Sequence, residues 1–295
     1  MHMGLDVRAQ RPEFAGEVSG VVLRDVHDRA TLDEIVALLD RYAVLVFRDQ
    51  PFDDEEHVAF ARRLDGELVM KVARTVIEPK RRLNSAGITD ISNLDEQGRP
   101  LQGEDRRRMH GLGNRLWHTD SSFQQPAARY SMLSAKTVAA TGGETEYADM
   151  RAAYDALPEP LKVQLDGLRA FHSILYSRQT IGFTDFSDEE RAQFPGAEQP
   201  IVRVHPGSGR TSLYLASHAE RIVGWPVPDG RILLRELVAL ATQPAFVYRH
   251  TWRRGDFVIW DNRCTMHRGL AFDEREPRDL RRVSTLDVAP ALAHA

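Results

Sequence analysis

A chain of 295 residues that is 42% hydrophobic and 28% charged can bury a sizeable core and is too apolar to stay disordered. Its formal net charge of −4 supplies no overall basic field, which argues against a nucleic-acid partner and leaves anion binding to local arginines. The single cysteine, Cys264, excludes an internal disulfide and a cysteine-rich zinc site, and no stretch approaches the ~20 apolar residues of a membrane span, so a soluble cytoplasmic protein is expected.

From the N-terminus, Glu17 to Leu23 reads as a strand, and Thr31-Leu-Asp-Glu34 has the capping-box pattern that opens a helix to about Tyr42. Ala43 to Phe47 is an apolar, β-branched run and predicts a strand; Asp53 to Leu64 predicts a second capped helix. Residues 72–116 are polar, charged and poorly periodic, with Arg106-Arg107-Arg108, Gly111 and Gly113 among them, and are expected to form a long active-site loop region. Short helices follow over Asp149 to Leu157 and Pro158 to Leu168, and a longer amphipathic one over Asp229 to Thr242.

The second half carries short strand patterns at Tyr130 to Ser134, Ile201 to Val204, Ser212 to Leu215, Phe246 to Tyr248, Asp256 to Trp260 and Arg282 to Asp287. Helices are missing between several of them, which suits a two-sheet jelly roll with flanking helices better than alternating βαβ units. With no repeat or composition break, a single domain over residues 1–295 is expected, ending in a tail at 289–295.

Trp117-His118-Thr119-Asp120 places an imidazole and a carboxylate two apart, so an extended strand would present both on one face. Far downstream, the run from Trp260 to Gly269 supplies a second imidazole, His267. Two His and one Asp make a facial triad, which leaves three adjacent positions open on a metal and suits iron(II). Standing alone, His-x-Asp reads as two ordinary strand residues. Arg278 and Arg282, however, follow His267 by eleven and fifteen residues, and in a strand residues four apart face the same way. Two guanidinium groups could then bind two separate acids beside the metal, rather than form a solvated edge with Arg275 and Arg281. His110, His172, His205, His218 and His250 lack a partner at ligand spacing and are read as surface or structural residues. Asp261 is read as a turn residue and Cys264 as a small buried side chain.

These motifs, with the segments Ser121 to Ala135, Thr145 to Leu157 and Phe246 to His250, resemble the taurine dioxygenase superfamily of iron(II)- and 2-oxoglutarate-dependent enzymes, and within it the 2,4-dichlorophenoxyacetate dioxygenase branch. The resemblance covers about Glu17 to Asp287. It implies a double-stranded β-helix and metal ligation by His118, Asp120 and His267. It also implies that Thr145 and Arg278 hold the distal carboxylate of 2-oxoglutarate, while Arg282 holds the acidic group of the substrate. Lys71 and Asn114 match substrate-proximal positions. The implied reaction consumes O2 and converts an aryloxyacetate to a phenol and glyoxylate with release of succinate and CO2. Rival readings are the same chemistry on an alkylsulfonate or aryloxypropionate, a zinc hydrolase, and a non-catalytic jelly roll that binds an acid. The oligomeric state is left open, a homo-oligomer included.

Overall fold

The computed structural model describes residues 4–71, 82, 83 and 85–288. In chain order its elements begin with β1 (Asp6–Arg11), β2 (Phe14–Ser19), α1 (Arg29–Tyr42), β3 (Val44–Phe47) and α2 (Asp54–Asp65). Next come β4 (Thr89–Ser92), α3 (Arg106–Gly111), β5 (Ala128–Thr137), β6 (Thr145–Asp149), α4 (Met150–Asp155), α5 (Glu159–Leu165) and β7 (Arg169–His172). They are followed by α6 (Ile174–Gln179), α7 (Asp188–Gln193), β8 (Ala197–Pro200), β9 (Val202–Val204), β10 (Thr211–Leu213) and β11 (Ala219–Ile222). The last are α8 (Val227–Ala241), β12 (Val247–His250), β13 (Phe257–Asp261), β14 (Thr265–Gly269) and β15 (Asp279–Leu286).

A seven-stranded sheet runs β1-β2-β3-β13-β5-β15-β4, and facing it is the three-stranded sheet β12-β6-β14. Two small sheets, β11-β7-β8 and β10-β9, extend the second layer. The jelly roll expected from the strand spacing is therefore present, with helices on the outside.

The period-two pattern of the central strands explains the layering. Leu45 and Phe47 of β3, Phe257 and Ile259 of β13, and Tyr130 and Met132 of β5 pack with α1 and α2. Their alternates, Val44 and Val46, Val258 and Trp260, and Leu133 and Ala135, point the other way, toward Tyr147 of β6. Both faces of these strands are covered, so they read as continuous apolar runs rather than as alternating ones. On the opposite layer, Ala148 and Met266 pack outward against α4, α5 and α8. Their neighbours Tyr147 and His267 therefore face inward, between the sheets.

Two expectations change. Helix α1 opens at Arg29, because Asp28 accepts the Thr31 amide at 2.8 Å and caps the helix a turn earlier than a Thr31 capping box would. The cap expected on α2 is in place, as a capping box between Asp53 and Glu56. The region 72–116 is not simply loop: residues 72–81 and 84 lie outside the described residues, but the remainder contains β4 and α3. Its order comes from partners distant in sequence, since β4 pairs with β15 and Arg82 forks onto Asp90 and Asp279. The expected tail, 289–295, also lies outside the described residues.

Candidate active site

Where the two layers open, His118 and His267 are direct backbone partners. The His118 amide donates to the His267 carbonyl at 3.0 Å, and the reverse bond is 2.8 Å. This two-residue bridge replaces the extended strand expected for His118 to Asp120, and the chain turns at Asp120. The carboxylate still reaches the imidazoles. Asp120 Oδ1 lies 3.8 Å from His118 Nε2, and Asp120 Oδ2 lies 3.7 Å from His267 Nε2. All three side chains are buried, and their candidate ligand atoms lie within 4.8 Å of one another. Metal–ligand bonds of about 2.0–2.2 Å allow a single ion to bridge such separations.

Their protonation suits a cation. His118 Nδ1 is 2.8 Å from the Leu116 carbonyl, which can only accept, so the proton sits there and Nε2 presents its lone pair. Burial pushes both imidazoles below their ordinary value, which keeps them neutral. Burial opposes ionisation of Asp120 as well, but Arg282, His267 and His118 together hold its carboxyl at about 2. Arg282 donates to Asp120 Oδ1, and Ser131 Oγ donates to Oδ2 at 2.7 Å. Asn262 Oδ1 accepts the Asp120 amide at 3.1 Å and the Trp260 indole N–H at 3.1 Å, while its Nδ2 donates to Ser131 Oγ at 2.9 Å. Strand alternation delivers this network: Ser131 and Leu133 of β5, Trp260 of β13, and Arg282 and Ser284 of β15 share the inner face.

Arg278 begins the approach to β15 and lines the same cavity as His118, His267, Thr145 and Arg282. Burial lowers its guanidinium to about 10, still charged at neutral pH, and among the described residues no carboxylate pairs with it. It donates to the Gly143 carbonyl at 3.1 Å, and Phe272 packs 5.4 Å from it. Thr145 Oγ1 accepts the Trp252 indole N–H at 2.9 Å, which leaves its hydroxyl proton available. Asn114 lines the cavity. Lys71 does not: it is exposed, with its ammonium 5.3 Å over the Phe194 ring and its carbonyl tied to Gln124.

The five histidines set aside in the sequence are all buried, so none is a surface residue. His205 and His250 bond to Asp261 and Asp256, at 2.9 Å and 3.1 Å. His110 and His218, by contrast, line the recess on the metal side, together with Arg178. Asn262, Ser131 and Arg178 were not singled out, since no spacing rule marks residues that converge only through sheet pairing. Asp261 accepts the Arg263 amide at 2.8 Å and pairs with its guanidinium, as befits a turn residue. Burial pushes the Cys264 thiol up and leaves it inert.

The profile of the taurine catabolism dioxygenase TauD, TfdA family matches residues 6–284. Over 281 residues the chain is 47% identical to the α-ketoglutarate-dependent 2,4-dichlorophenoxyacetate dioxygenase of Cupriavidus pinatubonensis (strain JMP 134 / LMG 1197), covering 94% of this chain and 96% of that relative. It is 45% identical over 284 residues to the enzyme of the same name from Burkholderia sp. (strain RASC), covering 96% of this chain and 95% of that one. The crystal structure of AAD-2 in complex with Mn(II) and N-oxalylglycine superposes with a TM-score of 0.92 at 45% identity, covering 98% of this chain and 99% of that chain.

Proposed function

Because the chain belongs to the taurine catabolism dioxygenase TauD, TfdA family and is an α-ketoglutarate-dependent dioxygenase, we propose that it oxidises an aryloxyacetate such as 2,4-dichlorophenoxyacetate, with Fe(II) as its metal. The zinc-hydrolase and non-catalytic readings give way to that membership. One observation carries the substrate class: two largely buried guanidinium groups, Arg278 and Arg282, line a single cavity with His118 and His267 of the triad. One cation suits the far carboxylate of 2-oxoglutarate and the other the carboxylate of the substrate.

In this reading His118, Asp120 and His267 hold the iron and leave three adjacent positions open. Arg278 and the Thr145 hydroxyl fix the distal end of 2-oxoglutarate. Arg282 keeps one N–H on Asp120 and lines the cavity where the substrate acid would bind. The arginine thereby couples the position of the substrate to the position of a metal ligand. Asn114 borders the space beside it. Leu101, Leu112, Leu133, Leu270 and Phe272 give the cavity an apolar wall that suits an aryl ring and excludes water. When bound, iron and 2-oxoglutarate would activate O2, one oxygen atom entering succinate as CO2 is lost and the other entering the substrate. Hydroxylation of the methylene between the ether oxygen and the carboxylate gives a hemiacetal, which breaks its aryl ether bond to release a phenol and glyoxylate. The protein contributes orientation, charge and dryness. No general base is needed at the substrate carbon. The lone buried cysteine fits a reducing cytoplasm, where we place the protein.

The test loads the purified chain anaerobically with Fe(II) and 2-oxoglutarate, then adds O2 and 2,4-dichlorophenoxyacetate. We expect one succinate, one phenol and one glyoxylate per turnover, each lost on omission of iron. Succinate release coupled to an alkylsulfonate or aryloxypropionate, with none for aryloxyacetates, would move the reading to that acid.

A further inference from the structure

Arg178 lies in the last turn of α6 and is 5% exposed. Its guanidinium lies against Gly113, so closely that a Cβ there would sit 2.2 Å from Arg178 Nη1. The chain thus leaves a side chain out to admit this cation. Nη1 donates to Ser177 Oγ at 3.2 Å, a hydroxyl that also meets His218 Nδ1 at 2.9 Å. Among the described residues its Nε has no hydrogen-bond partner and no carboxylate pairs with the group. Arg178 lines the metal-side recess with His118, Asp120, Asn114, His218 and Arg282. A buried cation without an anion is costly, and here two guanidinium groups face one recess. Arg282 is compensated by Asp120; Arg178 is not. No described residue supplies the counter-charge, and an anion entering the recess would.

We propose that Arg178 is a second substrate-binding guanidinium, which together with Arg282 clamps the anionic head group of the substrate on the metal side of the cavity. An organic carboxylate has lone pairs enough to accept from both forks, one oxygen to each. Two points of attachment fix the direction in which the methylene leaves the head group, which one guanidinium with a rotatable contact would not. This inference rests on the reading of the substrate as an acid.

The experiment uses the chain loaded with Mn(II) and N-oxalylglycine, titrated calorimetrically with 2,4-dichlorophenoxyacetate and with its uncharged amide. For Arg178→Met we expect affinity for the acid to fall roughly tenfold or more, as loss of a charged hydrogen bond implies. The affinity for N-oxalylglycine should stay within about twofold, and the amide should bind the variant and the parent alike. Arg178→Lys keeps the charge but loses the fork and should recover part of the loss. Equal affinity of a folded Arg178→Met and the parent for the acid overturns the proposal. So does an equal loss for acid and amide, which would mark a merely structural role. Should Arg178→Met not fold, Gly113→Ala decides, because its methyl occupies the place of Nη1: unchanged acid binding overturns the clamp and selective loss supports it. A parent protein that does not bind 2,4-dichlorophenoxyacetate would instead refute the proposed substrate class.

Discussion

At the scale of single residues, Asp120 does more than a ligand requires. Its two oxygens are divided between Ser131 and Arg282, and its amide is held by Asn262, so the carboxylate is oriented before any cation arrives. Removing such a partner loosens a ligand without deleting it. For Ser131→Ala we expect metal affinity to fall roughly 10–100-fold, measured by Mn(II) titration, with the fold retained. The two arginines should separate in the same assay format. Arg278→Ala should weaken 2-oxoglutarate binding and spare the aryloxy acid, whereas Arg282→Ala should do the reverse; equal losses of both ligands in either variant would contradict their assigned partners. Each loss should be at least about tenfold, since a buried charge would be left unpaired.

At the scale of elements, the site depends on how β6 and β15 are entered. Gly142 and Gly143 precede β6 with φ of +76° and +74°, and the Gly143 carbonyl holds Arg278. A Cβ at Gly142 would stand 2.4 Å from the Ala271 carbonyl oxygen, a backbone atom that cannot swing aside. The left-handed conformation alone penalises any other residue by about 1–2 kcal/mol. For Gly142→Ala we expect a loss of stability of at least that size in urea unfolding, together with weaker 2-oxoglutarate binding as the Gly143 carbonyl shifts. Unchanged values for both would show that this turn does not position Arg278. Strand β15 carries a second device, a register irregularity between Asp279 and Leu280. It lies between Arg278 and Arg282, so the four-residue spacing in sequence is not a simple four-residue step along a regular strand.

For the whole molecule, buried charge networks hold the layers together. Asp261, fully buried at the end of β13, binds Arg263 and His205, and Arg263 reaches Asp40 of α1 at 3.7 Å. Burial disfavours the Asp261 carboxylate, but Arg263 and His205 hold it ionised far below its ordinary value of 3.8. A depressed folded-state value means that this stabilisation is present above the unfolded value and is lost as pH falls below it. The unfolding free energy should therefore drop as the pH is lowered through about 3.8. For Asp261→Asn we expect a loss of about 3–5 kcal/mol at neutral pH, because Arg263 is left buried with only the more distant Asp40, and a flatter acid limb. A variant with the parent's acid profile would show that other carboxylates govern it. Much of this architecture was legible in the chain itself. The apolar runs of Ala43 to Phe47 and Asp256 to Trp260, the helix cap at Asp53, and the residue types at 118, 120, 267, 278 and 282 all express local backbone geometry and side-chain chemistry, which sequence carries directly. What only the tertiary structure decided was convergence: the pairing of β4 with β15, the bridge between His118 and His267, the outward placement of Lys71, and the burial of Arg178 against Gly113. Each depends on contacts between segments far apart in the chain, and such contacts leave no periodic signal in either partner.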